Sequence, residues 1–208
     1  MAENTSAGVE YRINFINNSP NAGSFMMFQQ DPNMKIENLS SLAWFTKYVH
    51  PDTDGSFSWK EDYNFVWRET KQLASGITSV TMQCPPADLA GNNGITLTYD
   101  GAYNFIDPVN AMPDPSLTIK MDQTIPMGQV AVGIGMSGSG TFLVAGQPNL
   151  NLVFTPKPEY WIAFGNYEQG QALNLQEVNS PAQIIFPEGI TEMNATLNPD
   201  YTWSVMPA

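Results

Sequence analysis

The sequence predicts an all-β fold, and two observations carry this prediction. Apolar and polar residues alternate with a period of two over most of the chain, as in half-buried strands. The 208 residues include 16 glycines and 16 prolines, so a turn-forming or rigid residue recurs about every six or seven positions. Short strands with such frequent turns are typical of sandwiches and barrels. We predict a single-domain antiparallel β-sandwich over residues 1–208, with residues 1–9 as a flexible tail and at most one or two short helices.

The longest alternation runs from Phe57 to Trp67 and places five aromatic side chains on one face. It predicts either one half-buried strand or two strands that meet at a bend near Glu61 and Asp62. The same pattern predicts further strands at Tyr11–Ile16, Ser24–Gln29, Ser79–Gln83, Ile95–Tyr99, Tyr103–Ile106, Leu117–Met121, Gln129–Gly135, Thr141–Val144, Leu150–Thr155, Tyr160–Phe164, Gln183–Phe186, Met193–Leu197 and Tyr201–Val205.

One segment, Glu37–Tyr48, has the spacing of a short helix. Its residues Leu39, Leu42 and Phe45 recur at helical intervals, and Asn38 is a candidate N-cap. We therefore expect one short helix in an otherwise β protein.

Composition excludes several functional classes. Eight Lys and Arg residues against 20 Asp and Glu residues give a net charge of −12, whereas nucleic acids and anionic membranes require a basic face. No apolar run is long enough to form a transmembrane helix. The single cysteine excludes an intramolecular disulfide. The amino terminus has no basic and apolar leader, so we expect a cytoplasmic protein, with release without a classical signal peptide left open.

Catalytic and metal-binding residues are scarce. His50, the sole histidine, stands before a turn at Pro51, and we interpret it as a structural or surface residue. Cys84, flanked by two prolines and no cation, is interpreted as a small buried hydrophobe. We expect no cofactor, no metal and no enzymatic activity. An enzyme that uses two carboxylates is a third and lower-ranked alternative.

Two short motifs resemble ligand loops. Residues Gly133–Gly138 match the spacing G-x-G-x-x-G, but a strand pattern follows where a phosphate-binding site needs a helix, so we predict closely packed strands. Asp52 and Asp54 resemble the start of a calcium loop, yet Gly55 comes at position four instead of six. We predict a hairpin turn there, with weak calcium binding, assisted by Glu61 or Asp62, as the alternative.

The aromatic residues are too numerous for one small core, so any that are exposed would mark a ligand or partner surface. Glu61 interrupts the aromatic face between Trp59 and Tyr63, and a carboxylate beside aromatic rings is typical of sugar-binding sites. The candidate binding residues are Trp44, Tyr48, His50, Trp59, Glu61, Tyr63, Trp67 and Trp161.

Two functions follow from these residues. The first is a non-enzymatic protein that associates with itself, as a homo-oligomer, or with a protein or glycan partner. The alternative is a lectin-like carbohydrate-binding module that stacks sugars on exposed aromatic side chains. This alternative requires that at least one of the tryptophans at 44, 59, 67 and 161 be exposed.

Several segments resemble the RhiA-type family, which is named for a rhizosphere-expressed, quorum-sensing-regulated bacterial protein. The resemblance rests on Asn14–Ser19, Ser41–Phe45, Asp62–Trp67, Val132–Gly138, Phe154–Trp161 and Ala195–Leu197. It implies a compact protein without a classical signal peptide, found in bacteria that live beside a host. It also implies a role in the interaction between the bacterium and its host. It implies no biochemical activity and no catalytic residues.

Overall fold

The computed structural model describes residues 9–31, 34–69, 74–76, 83–111 and 115–208, and in these ranges it has strands and no helix. The predicted all-β class is confirmed. The strands are β1 (Glu10–Asn17), β2 (Gly23–Gln30), β3 (Ser40–Ser41), β4 (Phe45–Val49), β5 (Thr53–Lys60), β6 (Tyr63–Glu69), β7 (Pro86–Ala87), β8 (Gly94–Tyr99), β9 (Tyr103–Val109), β10 (Leu117–Met121), β11 (Val130–Met136), β12 (Ser139–Ala145), β13 (Asn151–Phe154), β14 (Glu159–Gly165), β15 (Ala182–Ile184), β16 (Glu192–Leu197) and β17 (Trp203–Pro207).

These strands form four sheets. Sheet 1 has the order β17-β16-β1-β5 and sheet 2 the order β15-β14-β2-β4. Sheet 3 has the order β3-β12-β11-β6-β7 and sheet 4 the order β13-β10-β8-β9. Pairing is antiparallel except between β1 and β16 and between β8 and β10. The packing of the sheets as a sandwich and the single-domain organisation stay predictions.

Sheets 1 and 2 contribute side chains to a first hydrophobic core. Alternate residues of β1 and β16 point into it, among them Ile13, Phe15 and Met193, and β2 adds Phe25 and Met27. Burial of these side chains removes a large apolar area from water, which stabilises the pairing of the two sheets. Polar residues occupy the alternate positions of β1, so one face of sheet 1 is left facing solvent.

Sheets 3 and 4 contribute to a second core. Leu97, Leu117 and Ile119 of sheet 4 contact the same cluster as Val132 and Phe142 of sheet 3. Each of these side chains is at most 1% exposed. The described residues therefore contain two large cores, one from the two end regions of the chain and one from its middle, and two smaller hydrophobic clusters around Phe28 and around Leu143.

The aromatic segment passes from one core to the other at Glu61 and Asp62, where β5 ends and β6 has not begun. The two-strand alternative is therefore correct. The single aromatic face, however, is wrong: Trp59 packs in the first core, Phe65 and Trp67 in the second, and Tyr63 contacts both. Since Val66, on the other face, is also buried, β6 lies buried on both sides.

The predicted helix over Glu37–Tyr48 is wrong. Its residues form β3 and β4, which pair with β12 and β2. The Leu42 amide donates to the Thr141 carbonyl at 2.9 Å, and the Trp44 amide donates to the Met27 carbonyl at 2.8 Å. The backbone N–H groups that would form hydrogen bonds within a helix donate instead to neighbouring strands. The helical spacing rests on only three apolar residues, so pairing with these strands overrides it.

The other predicted strands overlap observed ones, with one exception. Ser79–Gln83 lies mostly outside the described residues, although Gln83 forms a bridge with Trp67. Residues 1–8 of the predicted tail also lie outside them. Within the described ranges, the structure has no helix of the length and hydrophobicity needed to span a bilayer.

Candidate functional site

Four predicted site residues, Trp44, Trp59, Glu61 and Tyr63, lie together at one end of the first core. Tyr11, Tyr160 and Phe186 complete this group, which we call the Glu61 cluster. The ring centroids of Trp59 and Tyr160 are 5.0 Å apart, and those of Tyr11 and Phe186 are 4.9 Å apart. Aromatic rings at these separations attract one another through their quadrupoles. The cluster therefore closes the end of the core.

Glu61 is exposed on this cluster because the chain bends there between β5 and β6. Its carboxylate accepts a hydrogen bond of 3.1 Å from the Tyr160 hydroxyl. A carboxylate has about four acceptor positions, so this bond leaves capacity for a donor from solvent or from a ligand.

Burial keeps the neighbouring phenols in their neutral form. It raises the pKa of Tyr63 to about 12, and the negative charges of Glu61 and Asp31 add to this shift. Burial and the Glu61 charge also raise the pKa of Tyr160. These tyrosines are therefore protonated at neutral pH and can donate hydrogen bonds.

The tryptophans do not form an exposed platform. Trp44, Trp59 and Trp67 are 0%, 2% and 5% exposed, and half-buried Trp161 stacks on Phe28. Trp44 and Trp67 use their ring N–H groups internally, on the Met136 carbonyl and on Gln83. Sugar stacking on tryptophan therefore stays a prediction for Trp161, which packs against a smaller cluster around Phe28, because the two main cores take up the other three rings.

Tyr48 and His50 lie elsewhere, at the end of β4. Both are exposed and contact each other edge to face, with ring centroids 5.6 Å apart. Tyr48 pairs with Ser24 at one end of β2. Gln29 lies at the other end of β2, and its side chain contacts Met136 behind the cluster. The structure therefore separates these two residues from the Glu61 cluster.

Asp52 lies in the turn between β4 and β5, and Asp54 lies in β5 itself. The predicted turn is present, but it is not a hairpin, because β4 pairs with β2 in sheet 2 and β5 pairs with β1 in sheet 1. Asp52 has a φ of +57°, and its amide donates to the Asn17 carbonyl at 2.7 Å. In the part of the chain that the structure describes, no group of three or more His, Cys, Asp or Glu side chains could hold a metal ion. The calcium alternative gains no support from this geometry.

The glycine motif lies in the hairpin of β11 and β12, and no helix follows it. A Cβ atom on Gly133 would collide with the backbone of Phe142, and one on Gly135 would collide with Ser139. Glycine is required because the two backbones approach closely. This is the packing role that we predict, and it accounts for the motif without a nucleotide.

Sequence reasoning missed a cleft on the solvent face of sheet 1, which we call the sheet 1 cleft. It encloses about 580 Å³ and crosses neighbouring strands. Its principal lining residues are Arg12, Asn14, Ile16, Lys47, Asp54, Ser56, Asn194, Thr196 and Met206. The alternation of polar residues at 12 and 14 in β1 was a signal, but the partner strands come from distant parts of the sequence.

Hydrogen bonds hold these side chains in place before any ligand binds. The Asn14 amide donates to Glu192 at 2.8 Å and to Asn194 at 3.1 Å, and Arg12 donates to Ser56 at 3.2 Å. Asn194 and Ser56 lie opposite Asn14 in the strand register. The sheet thus presents a fixed row of amide and hydroxyl groups.

Comparison with known proteins decides the family. A sequence model of the RhiA family matches residues 8–208. The chain belongs to the RhiA family. It is 31% identical over 204 residues to Protein RhiA from Rhizobium leguminosarum bv. viciae. The aligned region covers 97% of this chain and 88% of that protein. No solved structure matches it.

The segments that carry the RhiA resemblance are mostly buried. Trp44, Phe65 and Ile134 belong to the hydrophobic cores, and Phe154 is fully buried. Two of these segments also reach the sheet 1 cleft of this RhiA family member, since Asn14, Ile16 and Thr196 line it.

Proposed function

We propose that this RhiA family member acts by binding, without catalysis, and that its ligand is a hydroxyl-rich carbohydrate held in the sheet 1 cleft. The observation that supports this proposal is the row of hydrogen-bonding side chains along an open cleft of about 580 Å³. That volume falls in the range of roughly 300–1,000 Å³ common for small-ligand sites.

The lining chemistry favours sugars over other small ligands. Asn194 offers two N–H donors and Asn14 offers its carbonyl oxygen as an acceptor, since both Asn14 N–H groups already donate to Glu192 and Asn194. Asp54 adds an exposed acceptor, and Arg12 adds donors. Ile16 and Met206, 37% and 55% exposed, offer apolar surface for the C–H face of a sugar ring.

This proposal takes up the lectin-like alternative of the sequence analysis, which ranked self-association or partner binding first, and changes the residues that perform it. Polar side chains on the solvent face of sheet 1 bind the sugar, in place of the exposed tryptophans expected from the sequence. The family resemblance implies bacteria beside a host, so glycans of host and bacterial surfaces are the first ligands to test. The cytoplasmic location, with release left open, stays a prediction that cell fractionation tests.

Self-association through the same face is the second candidate. Arg12 and Lys47 lie there with Asp54, and Glu192 borders them, so two copies of an acidic chain could meet on this face without net repulsion. Four strands about 4.8 Å apart and five to eight residues long present only about 400 Å². Stable interfaces need about 800 Å² per partner. Edge strands β7, β9 and β17 also contain prolines, which hinder pairing between edges. We therefore rank this candidate lower.

A glycan array followed by calorimetry tests the proposal. The intact chain is applied to host and bacterial oligosaccharides, and each bound glycan is titrated into wild type and the Asn14→Ala/Asn194→Ala double variant. We expect at least tenfold weaker binding in the double variant, because two amide contacts are lost. Asn110→Ala, an exposed asparagine outside the cleft, is the matched control and should bind as wild type.

Two results would contradict carbohydrate binding: no glycan retained on the array, or equal affinity in the double variant. Light scattering over a wide concentration range tests the second candidate. Association through this face is supported if wild type has a mass above the 22.9 kDa of one chain and the Met206→Asp variant has a lower mass than wild type.

A further inference from the structure

A second cavity, separate from the sheet 1 cleft, opens into the second core. It encloses about 410 Å³ and lies between β6 and β7 of sheet 3 and β8 and β9 of sheet 4. Its inner wall is formed by Phe65 and Ile95, which are 1% and 6% exposed and belong to the core itself. The cavity is therefore an entrance to the apolar interior on the side where β7 and β9 form the sheet edges.

Apart from Gln83 and Cys84, the remaining walls are apolar and poor in hydrogen-bond donors. The ring of Phe105 forms one side, and Pro85, Pro86 and Pro108 form others. Proline has no backbone N–H, so these walls present rigid rings and few donors that a ligand would have to satisfy. Asn92, at the mouth, is exposed and offers one amide.

The walls are held in place without a ligand. The Gln83 side chain accepts hydrogen bonds from the Trp67 ring N–H at 2.6 Å and from the Phe105 amide at 3.1 Å. The same side chain donates to Asn104 at 2.9 Å. The Phe65 amide donates to the Pro85 carbonyl at 2.9 Å, which fixes the proline wall to β6. A wall fixed in this way loses little entropy on binding.

We propose that this cavity binds a neutral, flat, predominantly apolar small molecule, with an aromatic or similar ring between Phe105 and the proline rings and one polar group at Asn92. A flat ring suits walls made of aromatic and proline rings. An anion is disfavoured, because Asp88 and Asp107 are close in sequence to the lining prolines and the chain carries a net charge of −12.

The probe for this proposal is N-phenyl-1-naphthylamine, a neutral molecule whose fluorescence rises in apolar surroundings. It is titrated into the intact chain under native conditions, and we expect saturable binding of one probe per chain. Asn92→Trp places a large ring at the mouth, and Ile95→Phe fills the inner wall. Each substitution should weaken probe binding at least tenfold.

Asn110→Trp is the matched control, since Asn110 is an exposed asparagine outside the cavity. It should bind the probe as wild type does. Circular dichroism confirms that each variant is folded, and if Ile95→Phe is not, Asn92→Trp alone decides. The proposal is overturned if the probe does not saturate, or if folded Asn92→Trp binds it as tightly as Asn110→Trp. Neither result bears on glycan binding at the sheet 1 cleft.

Discussion

Folding raises the pKa of two phenol groups in the Glu61 cluster, those of Tyr63 and Tyr160. Burial, aided by the Glu61 charge, raises both pKa values above the ordinary value of 10. A group whose pKa is raised on folding stabilises the protein below its unfolded pKa, and this contribution is lost as pH rises towards the folded pKa.

We therefore expect the free energy of unfolding to fall between about pH 10 and pH 12, by on the order of 1 kcal/mol for each of these tyrosines. Urea denaturation followed by circular dichroism at pH 9 and pH 11 measures this loss. Tyr63→Phe should reduce it, whereas Tyr48→Phe, which alters an exposed tyrosine, should not. An equal loss in both variants would contradict the assignment to Tyr63.

Cys84 is the one thiol in the chain, and burial raises its pKa to about 11. Because the thiolate is the reactive form, we expect slow alkylation by N-ethylmaleimide at pH 7 and a rate that increases up to about pH 11. Mass spectrometry of the intact chain measures the single addition. Rapid labelling in urea is the control, and equally rapid labelling of the folded chain at pH 7 would contradict the prediction.

At the scale of elements, the hairpin of β11 and β12 depends on glycine. We expect Gly133→Ala to lower the free energy of unfolding by at least about 2 kcal/mol, because its Cβ would collide with the Phe142 backbone. Gly140→Ala is the matched control, since its Cβ would lie 3.2 Å from the flexible end of Leu42. Its cost should stay within about 1 kcal/mol. Chemical denaturation measures both, and equal costs would contradict the close approach.

At the scale of the whole molecule, the two ends of the chain lie in one sheet. β1 pairs in parallel with β16, which supplies Met193, Ala195 and Leu197 to the first core. We expect a chain that ends at Gly189 to lose cooperative thermal unfolding, because it exposes one side of β1 and part of this core. A chain that ends at Pro207 is the control. Cooperative unfolding in the shorter chain would show that sheet 1 is stable without β16.

Sequence alone determined the all-β class and most strand positions, because alternation and turn residues are local properties of the chain. It left the bend near Glu61 as one of two alternatives. It also brought Trp59, Glu61 and Tyr63 together correctly, since they are neighbours along the chain. Family membership, too, could be recognised from its segments.

Tertiary structure decided the rest. It converted the segment Glu37–Tyr48 from a predicted helix into two strands, since the edges of sheets 2 and 3 bind its backbone. It buried Trp59 and Trp67 in different cores where the sequence predicted one aromatic face. It also assembled the sheet 1 cleft from residues as distant as Asn14 and Asn194, a pairing that no local pattern encodes, because strand neighbours in a sheet are set by long-range packing of the core.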